Sequence, residues 1–158
     1  MTKSWASSSA SRAVMRANRG RDTKPEKALR SAVHALGLRY RVGVRPIKGV
    51  RRTADLVFTR SHVAVFLDGC FWHGCPQHYR PATGTTSSFW NDKITSNRVR
   101  DADTDYWLRE AGWIVIRVWE HEDPNTAASH VAELVASRRP AVRSTQDTPP
   151  RTEHEKHQ

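Results

Sequence analysis

Two thiols and two imidazoles lie within nine positions of this chain, in the segment Cys70-Phe-Trp-His-Gly-Cys75-Pro-Gln-His78. Thiolates and imidazoles are the ligands that Zn²⁺ prefers, and structural zinc sites take four ligands in a tetrahedron. Cys75 and His78 have the spacing of two ligands on one tight turn, and Cys70 is close enough to be a third. His121, beyond the last predicted strand, is the candidate for the fourth. The alternative is that both cysteines are small buried hydrophobes and that the histidines lie at the surface.

Two aspartates could hold a second kind of metal ion. Asp55 begins one predicted strand, and Asp68 ends the apolar run that precedes the cysteine loop. Cleavage of a phosphodiester by a divalent metal needs carboxylates that hold Mg²⁺ on the scissile phosphate and activate water. If the two strands are antiparallel neighbours, both carboxylates lie at one edge of the sheet. The alternative is that each aspartate merely opens or closes a turn.

His73 follows closely after Asp68 and could act as a general base or bind a phosphate. Asp101, on the long predicted helix, could orient that imidazole. A surface ion pair of Asp101 with Arg98 or Arg100 is the alternative.

Two pairs of aromatic residues lie near this polar group, Phe71-Trp72 in the cysteine loop and Phe89-Trp90 at the start of the long helix. Large aromatic side chains beside basic residues suit base stacking or insertion between base steps, although such pairs more often belong to a core. Phe71 and Trp72 favour a DNA-contacting role, because adjacent loop residues cannot both point inward easily. The aromatic residues expected in the core are Trp107, Trp113 and Trp119.

Secondary-structure patterns place these groups in an α/β fold. Thr23-Lys-Pro-Glu26 is a capping box, which gives Glu26 a sufficient structural role, and apolar residues then recur at helical spacing up to Gly37. The order of elements indicates a mixed central sheet flanked by helices. The further predicted elements are strands over Ala54–Thr59, Val63–Asp68 and Trp113–Trp119, and helices from Ser87 or Ser88 to Ala111 and over Asn125–Ser137.

The 158 residues suffice for one domain with extra segments. Residues 1–60 carry fifteen Lys and Arg against three acids, or +12, and the rest carry eleven against thirteen, or −2, which gives the net charge of +10. One end of the molecule is therefore strongly basic, which favours nucleic acid ahead of a membrane as partner. A solvated basic surface without a partner is the alternative.

The chain divides into three predicted parts: a basic arm over 1–22 that is partly disordered without DNA, a folded domain over 23–138, and a disordered tail over 139–158. No segment is apolar and long enough to span a bilayer, and the N-terminus lacks the apolar stretch of a signal peptide. We therefore expect a cytoplasmic, nucleoid-associated protein, in which a disulfide between the two cysteines is not expected.

These segments together resemble the very-short-patch repair (Vsr) DNA mismatch endonucleases. The similarity runs from about Arg12 to Glu122, and the loop from Asp68 to His78 is its most specific part. The matching segments are Met15-Arg-Ala, Arg21-Asp-Thr-x-x-Glu26-Lys, Arg-Thr-Ala-Asp55, Asp68-Gly-Cys-Phe-Trp-His73-Gly-Cys-Pro-x-His78, Phe89-Trp90-x-x-Lys93, Asn97-x-x-x-Asp101, Gly112-Trp113 and Val118-Trp-Glu-His121.

The resemblance implies a restriction-endonuclease-like fold with a structural zinc loop, and Mg²⁺-dependent nicking of one strand beside a T:G mismatch in double-stranded DNA. It implies that Asp55 is the central Mg²⁺ ligand, that His73 activates water with support from Asp101, and that Glu26 is an active-site acid. The zinc ligands that it implies are Cys70, Cys75, His78 and His121. The DNA contacts that it implies are the intercalating Phe71, Trp72, Trp90 and Met15, and the basic Arg16, Arg19 and Lys93.

Asp68 is the main departure from the family pattern, since the prototype has Thr-His where this chain has Leu67-Asp68. Leu67 could still offer its backbone carbonyl to Mg²⁺, and Asp68 would make the site closer to the two-acid site of ordinary restriction nucleases. The proline before Asp55 is Ala54 here. Cys75 and His121 stand where the family can have a histidine and a cysteine, and zinc accepts either.

Three functions stay open from sequence: a T:G-mismatch nickase of short-patch repair, a restriction-like or modification-dependent nuclease of the same fold, and a zinc-stabilised DNA-binding module without catalysis. Two aspartates at a basic surface favour an enzyme, because they repel phosphate unless Mg²⁺ bridges the gap. We expect a monomer, with association to repair proteins or a cytosine methyltransferase as a further possibility.

Overall fold

The structure is a computed structural model that describes residues 22–81, 83–85 and 87–139. The predicted arm over 1–22, with Met15, Arg16 and Arg19, lies outside the described residues apart from Asp22, and the predicted tail does so apart from Arg139. The described elements are α1 (Lys24–Ala35), β1 (Arg41–Val44), β2 (Ala54–Phe58), β3 (Val63–Asp68), α2 (Ser87–Glu110), β4 (Ile114–Trp119) and α3 (Pro124–Ser137). Among them no helix is long and apolar enough to cross a membrane.

Helix α1 begins at the predicted capping box. The backbone N–H of Glu26 donates to the Thr23 hydroxyl oxygen at 3.4 Å, which satisfies one of the unpaired amides of the first turn. The Glu26 carboxylate reaches back one residue further than a standard capping box requires, and accepts the N–H of Asp22 at 2.6 Å. Gly37 follows the helix with a φ of +76°, as a C-terminal glycine does.

The four strands form one mixed sheet in the order β1-β2-β3-β4. β2 and β3 are antiparallel, with Leu56 opposite Val65, and β3 and β4 are parallel, with Asp68 opposite Trp119. The predicted α/β class, with a mixed sheet flanked by helices, is therefore confirmed. The start of β2, the end of β3 and the end of β4 all lie at the same edge of the sheet.

Strand β1 was not predicted from the sequence. It has only four residues, Arg41-Val-Gly-Val44, and Gly43 adopts a φ of +60°. Val42 and Val44 do alternate with Arg41 and Gly43, but two apolar residues are too few to predict a strand, which forms because the segment pairs antiparallel with β2.

Helices cover both faces of the sheet. On one face α1 and α3 contribute Leu29, Val33 and Val131 to a core with Leu56 and Val65. On the other face α2 contributes Leu108, which packs with Ala64, Phe66 and Trp113.

The prediction that Trp107 belongs to the core is wrong, because 53% of its surface is exposed. Leu108 is the buried neighbour, and one residue along a helix turns the side chain by about 100°. The Trp107 indole N–H donates to Asp103 on the same exposed side of α2. Trp113 is buried as predicted, and Trp119 is only partly buried.

Candidate active site

A cleft of about 200 Å³ lies at the sheet edge where β2 begins and β3 ends. Its walls carry most of the acidic and imidazole groups that the sequence singled out, together with two arginines that it did not. The lining residues are Arg52, Thr53, Asp55, Phe66, Leu67, Asp68, His73, Asp101, Thr104 and Arg117. The antiparallel pairing of β2 with β3 brings Asp55 and Asp68 to this cleft, as expected from their places in the strands.

Asp55 is held in place by the backbone of the neighbouring strand. One carboxylate oxygen accepts the N–H of Leu67 at 2.7 Å. Burial is the main cause that raises the pKa of Asp55 to about 6, with smaller contributions in the same direction from the charges of Glu26 and Asp68. Glu26 is itself only 7% exposed and accepts a hydrogen bond from Arg30 at 3.1 Å. Glu26 therefore lies close enough to act on Asp55 while keeping its capping contact.

The raised pKa of Asp55 makes a prediction about stability. In Mg²⁺-free buffer the folded state binds this proton more tightly than the unfolded chain does, so the contribution to stability is complete below about pH 3.8 and is lost as the pH rises through about 6. Asp55→Asn should therefore raise the free energy of unfolding at pH 8 in Mg²⁺-free buffer, by at most about 3 kcal/mol. Urea unfolding of the wild type and the variant at pH 4.5 and pH 8 measures this difference in the free energy of unfolding. Asp92→Asn, which removes a carboxylate from the surface of α2, is the control, and an equal gain in both variants would contradict the assignment.

The Asp68 carboxylate forms an ion pair with Arg117 of β4. The Arg117 Nη1 atom lies 2.9 and 3.0 Å from the two carboxylate oxygens of Asp68. Burial raises the pKa of Asp68, although the guanidinium charge of Arg117 opposes the shift. The same guanidinium also donates to Asp105 through Nε and Nη2.

His73 and Asp101 form a close pair. The Nδ1 atom of His73 lies 2.5 Å from an Asp101 carboxylate oxygen, and 3.7 Å from the nearer oxygen of Asp68. Burial by itself would lower the pKa of His73, but the hydrogen bond to Asp101 and the two carboxylate charges outweigh it, so the pKa lies above its ordinary value. Burial likewise opposes the shift at Asp101, where His73 and Arg117 together hold the pKa below its ordinary value. The pair leaves the other ring nitrogen of His73 to act on a bound substrate.

Helix α2 fixes the loop that carries His73. The Asn97 side-chain amide donates to the Trp72 carbonyl at 2.9 Å, and the Arg98 guanidinium donates to the Gly74 carbonyl at 3.3 Å. Gly74 has a φ of +63°, and an added Cβ would lie 3.3 Å from the Arg98 and Ile94 side chains. Helix α2 thus binds the ring of His73 through Asp101, and binds the backbone of the two neighbouring residues through Asn97 and Arg98.

The four predicted zinc ligands come together at the other end of this loop. The ligand atoms of Cys70, Cys75, His78 and His121 all lie within 4.8 Å of one another, so they could hold a metal ion. The Cys70 sulfur lies 3.1 Å from His121 Nδ1, and the three other sulfur-to-Nδ1 distances are 3.7 to 3.8 Å. Tetrahedral zinc, with bonds of about 2.3 Å to sulfur and 2.0 Å to nitrogen, places such atoms about 3.5 Å apart.

Two structural features explain this convergence. The parallel pairing of β3 with β4 carries His121 to the side of Cys70, although the two residues are far apart in the chain. The N–H of Cys70 donates to the Glu120 carboxylate at 2.7 Å, and the N–H of Cys75 donates to the Cys70 carbonyl at 2.9 Å. Burial and the nearby Cys75 raise the pKa of Cys70 to about 11, so metal binding has to displace its proton.

The aromatic residues singled out by sequence form one surface cluster. Phe71, Trp72 and Trp90 have ring centroids 5.2 to 5.7 Å apart, and Phe71 is 40% exposed. Phe89, which is 46% exposed, packs on Trp90 at 5.5 Å. Lys93 lies exposed on the next turn of α2. The rings therefore pack against one another at the surface, where Phe71 and Phe89 are the more exposed members of the cluster.

Sequence reasoning missed Arg52, Arg117 and Asp105. Arg117 did carry a signal, because a lone charge in the apolar strand Ile-Val-Ile-Arg-Val-Trp is costly unless a buried carboxylate pairs with it. Arg52 is partly exposed at the cleft, 4.0 Å from Asp101. Its position beside the acids depends on the loop before β2, which carries no regular periodicity.

The sequence is similar to a family of DNA endonucleases and to several of their relatives. The family model of the DNA mismatch endonuclease Vsr matches residues 6–80. The chain is 49% identical over 123 residues to the type II nicking enzyme V.NaeI of Lentzea aerocolonigenes, which covers 77% of this chain and 74% of the relative. It is 36% identical over 111 residues to the type II nicking enzyme V.XorIIP of Xanthomonas oryzae pv. oryzae, which covers 70% of this chain and 79% of the relative.

A third relative is the DNA mismatch endonuclease Vsr of Escherichia coli strain K12, 37% identical over 106 residues, with 67% of this chain and 66% of that protein covered. The predicted family is confirmed by these similarities. The chain belongs to the Vsr family, and it is a DNA endonuclease.

Proposed function

We propose that this endonuclease nicks one strand of double-stranded DNA at T:G mismatches in a Mg²⁺-dependent reaction, as the first step of very-short-patch repair. The observation that carries the proposal is the cleft that Asp55 lines together with the His73–Asp101 pair. A carboxylate for a divalent metal and an oriented imidazole for water are the two groups that metal-assisted phosphodiester hydrolysis needs. The name of the E. coli relative supports the mismatch as substrate.

The residues of the cleft fit a Mg²⁺ site built on Asp55. Mg²⁺ prefers oxygen ligands and uses one or two carboxylates together with water and substrate phosphate. Asp55 supplies the carboxylate, and the Leu67 backbone, which already contacts it, supplies the candidate carbonyl. Bound there, Mg²⁺ would polarise the scissile phosphate and lower the pKa of a bound water.

The protein side chains have separate tasks in the proposed reaction. His73 accepts the proton of the attacking water at its Nε2 atom, and Asp101 accepts the hydrogen bond of the Nδ1 N–H and stabilises the imidazolium that forms. Glu26 is a further acidic residue of the active site, and its negative charge acts on the neighbouring Asp55. Asp68 was predicted from sequence as a second catalytic carboxylate and Mg²⁺ ligand, and its contacts with Arg117 lead to a different role, argued below.

We also propose that the ion held by Cys70, Cys75, His78 and His121 is a structural Zn²⁺. Two thiolates and two imidazoles are a common donor set for structural zinc, and four protein ligands would complete a tetrahedral site without leaving a position for substrate. Zinc at this position would tie the cysteine loop to the end of β4 and so help to fix the direction of His73.

The proposed DNA contacts follow the aromatic cluster. Phe71, Trp72 and Trp90 would enter between base steps at the mismatch, and Lys93 would contact the backbone. Met15, Arg16 and Arg19 of the basic arm would bind from the other side. We propose that the enzyme acts as a monomer in the cytoplasm, on nucleoid DNA, with repair proteins or a methyltransferase as possible associates.

A nicking assay tests the proposed substrate. Labelled duplexes with a T:G or a matched T:A pair, in varied flanking sequence, are incubated with the protein in Mg²⁺. We expect cutting of one strand beside T:G, and at least about tenfold slower cutting of T:A, because a mismatched step costs less to unstack. Equal cutting of both duplexes, or cutting in EDTA, would contradict the proposal.

The second candidate function is cleavage within a restriction or modification system, since several relatives are named type II nicking enzymes. It predicts that the flanking sequence controls the rate more than the mismatch does, and the same set of duplexes tests this. A DNA-binding module without catalysis does not fit the membership in an endonuclease family.

A further inference from the structure

We infer that Arg117 is a positioning residue, which holds the Asp68 carboxylate away from His73 so that Asp101 alone orients the imidazole. The inference rests on the proposed function, because it assigns roles within the same cleft. It also answers what an aspartate does at a position where the family prototype has an imidazole.

His73 has two carboxylate neighbours that could accept its Nδ1 proton. The nearest oxygen of Asp101 lies at 2.5 Å and that of Asp68 at 3.7 Å. A hydrogen bond from Nδ1 to Asp68 would require another orientation of the imidazole ring than the bond to Asp101 does, because Asp68 lies on β3 and Asp101 lies on α2. Something therefore has to keep Asp68 from competing.

Arg117 has the contacts for that task. Its Nη1 atom bonds both oxygens of Asp68, and its side chain packs over the Phe66 ring with the guanidinium carbon 4.8 Å from the ring centre. The other N–H groups go to Asp105 and to the Asp101 backbone carbonyl, at 2.8 to 3.3 Å. A guanidinium has five N–H donors in a fixed plane, so these contacts also fix the turn of α2 that carries Asp101.

The same contacts make Arg117 a poor ligand for DNA. Every nitrogen of its guanidinium is already bonded to protein oxygen, and only 21% of the side chain is exposed. The cleft has another arginine, Arg52, whose side chain is 41% exposed and whose ion pair with Asp101 is long, at 4.0 Å. Arg117 thus binds Asp68 and the residues of α2, and Arg52 is the arginine of the cleft that can contact a phosphate.

Asp68 is correspondingly a partner of Arg117 and not a metal ligand. Both of its oxygens face the guanidinium, and its side chain is 5% exposed. Asp55, in contrast, has one oxygen bonded to a backbone amide and none to an arginine among the described contacts. The two aspartates at the sheet edge therefore have different tasks.

Two variants and their combination test the inference. In Arg117→Met, Asp68 is released, and we expect the His73 Nδ1 proton resonance in ¹⁵N-histidine NMR to shift and the turnover number for nicking to fall about tenfold or more. Adding Asp68→Asn to Arg117→Met removes the competing charge, and should move the resonance back and restore part of the turnover, since the contacts of Arg117 with α2 stay lost. Arg109→Met is the matched control, because Arg109 also pairs with Asp105 but is exposed and has no ion pair with Asp68.

Asp68→Asn alone separates positioning from metal binding. We expect a turnover number lowered less than about tenfold at an unchanged half-saturating Mg²⁺ concentration. A rise of that concentration by about tenfold or more would make Asp68 a metal ligand and overturn the inference. An unshifted His73 resonance in folded Arg117→Met would also overturn the inference. The same holds if the double variant has the turnover number and the His73 resonance of Arg117→Met.

The NMR spectra do not depend on activity. Should Arg117→Met be unfolded by circular dichroism at the assay temperature, Arg117→Lys, which retains one cation, serves in its place, with a smaller shift in the same direction expected. A wild-type protein that does not nick DNA in Mg²⁺ would refute the proposed function, while the His73 resonance would still decide the role of Arg117.

Discussion

Asp55→Asn should reduce Mg²⁺-dependent nicking by at least about 10³-fold, which corresponds to about 4 kcal/mol of lost transition-state stabilisation. The amide side chain of the variant would keep an oxygen for the Leu67 N–H, so that the fold is preserved, but it lacks the charge that holds Mg²⁺. A gel assay with saturating enzyme and labelled duplex, under single-turnover conditions, measures the rate of cutting.

The control for this variant is DNA affinity. Asp55→Asn removes a negative charge from the cleft, so binding of the same duplex in Ca²⁺ or EDTA should be equal to that of the wild type or tighter. Retained nicking at more than about a tenth of the wild-type rate would refute the assignment of the metal to Asp55. Lost binding would mean that the variant had damaged the DNA-binding surface instead.

Cys75→Ala should remove the zinc and unfold the domain. Cys75 is 1% exposed and lies within reach of both histidines of the cluster. Structural zinc contributes about 10 to 16 kcal/mol of binding free energy, which is as large as the whole stability of a domain of this size. Metal analysis of purified protein should find about one zinc per wild-type chain and none in the variant, and circular dichroism should show the loss of structure.

Gln77→Ala is the matched control for the zinc prediction, because Gln77 is exposed in the same loop between two candidate ligands. It should keep its zinc and its fold. Well-folded wild-type protein without any bound zinc would overturn the proposal, and the four residues would then be a cluster of polar groups without a metal.

The local parts of the fold were predictable because their causes are local. The capping box that starts α1, the glycine that ends it and the apolar run of β3 act over a few residues, and all three lie where the sequence placed them. Trp107 was misplaced because aromatic character does not determine the direction of a side chain on a helix. Strand β1 was missed because only its pairing with β2 makes it a strand.

The site was predictable where strand ends fix positions. Asp55 and Asp68 share an edge because their strands are antiparallel, and His121 reaches the cysteines because β4 runs parallel to β3. The partners of Asp68 could not be assigned in the same way. Asp68 and Arg117 lie on the paired strands β3 and β4, but Asp105 lies on α2, and only the packing of α2 against the sheet adds it to the group.

The parallel pairing of β3 with β4 has a consequence for the synthesis of this enzyme. Arg117 lies on the last strand and His121 just after it, so a nascent chain that still lacks β4 contains Asp55, His73 and the cysteines without the residues that complete either centre. Contacts between segments so distant in sequence also slow folding. We therefore expect that a fragment of this endonuclease that ends before β4, which lacks both Arg117 and His121, does not nick DNA.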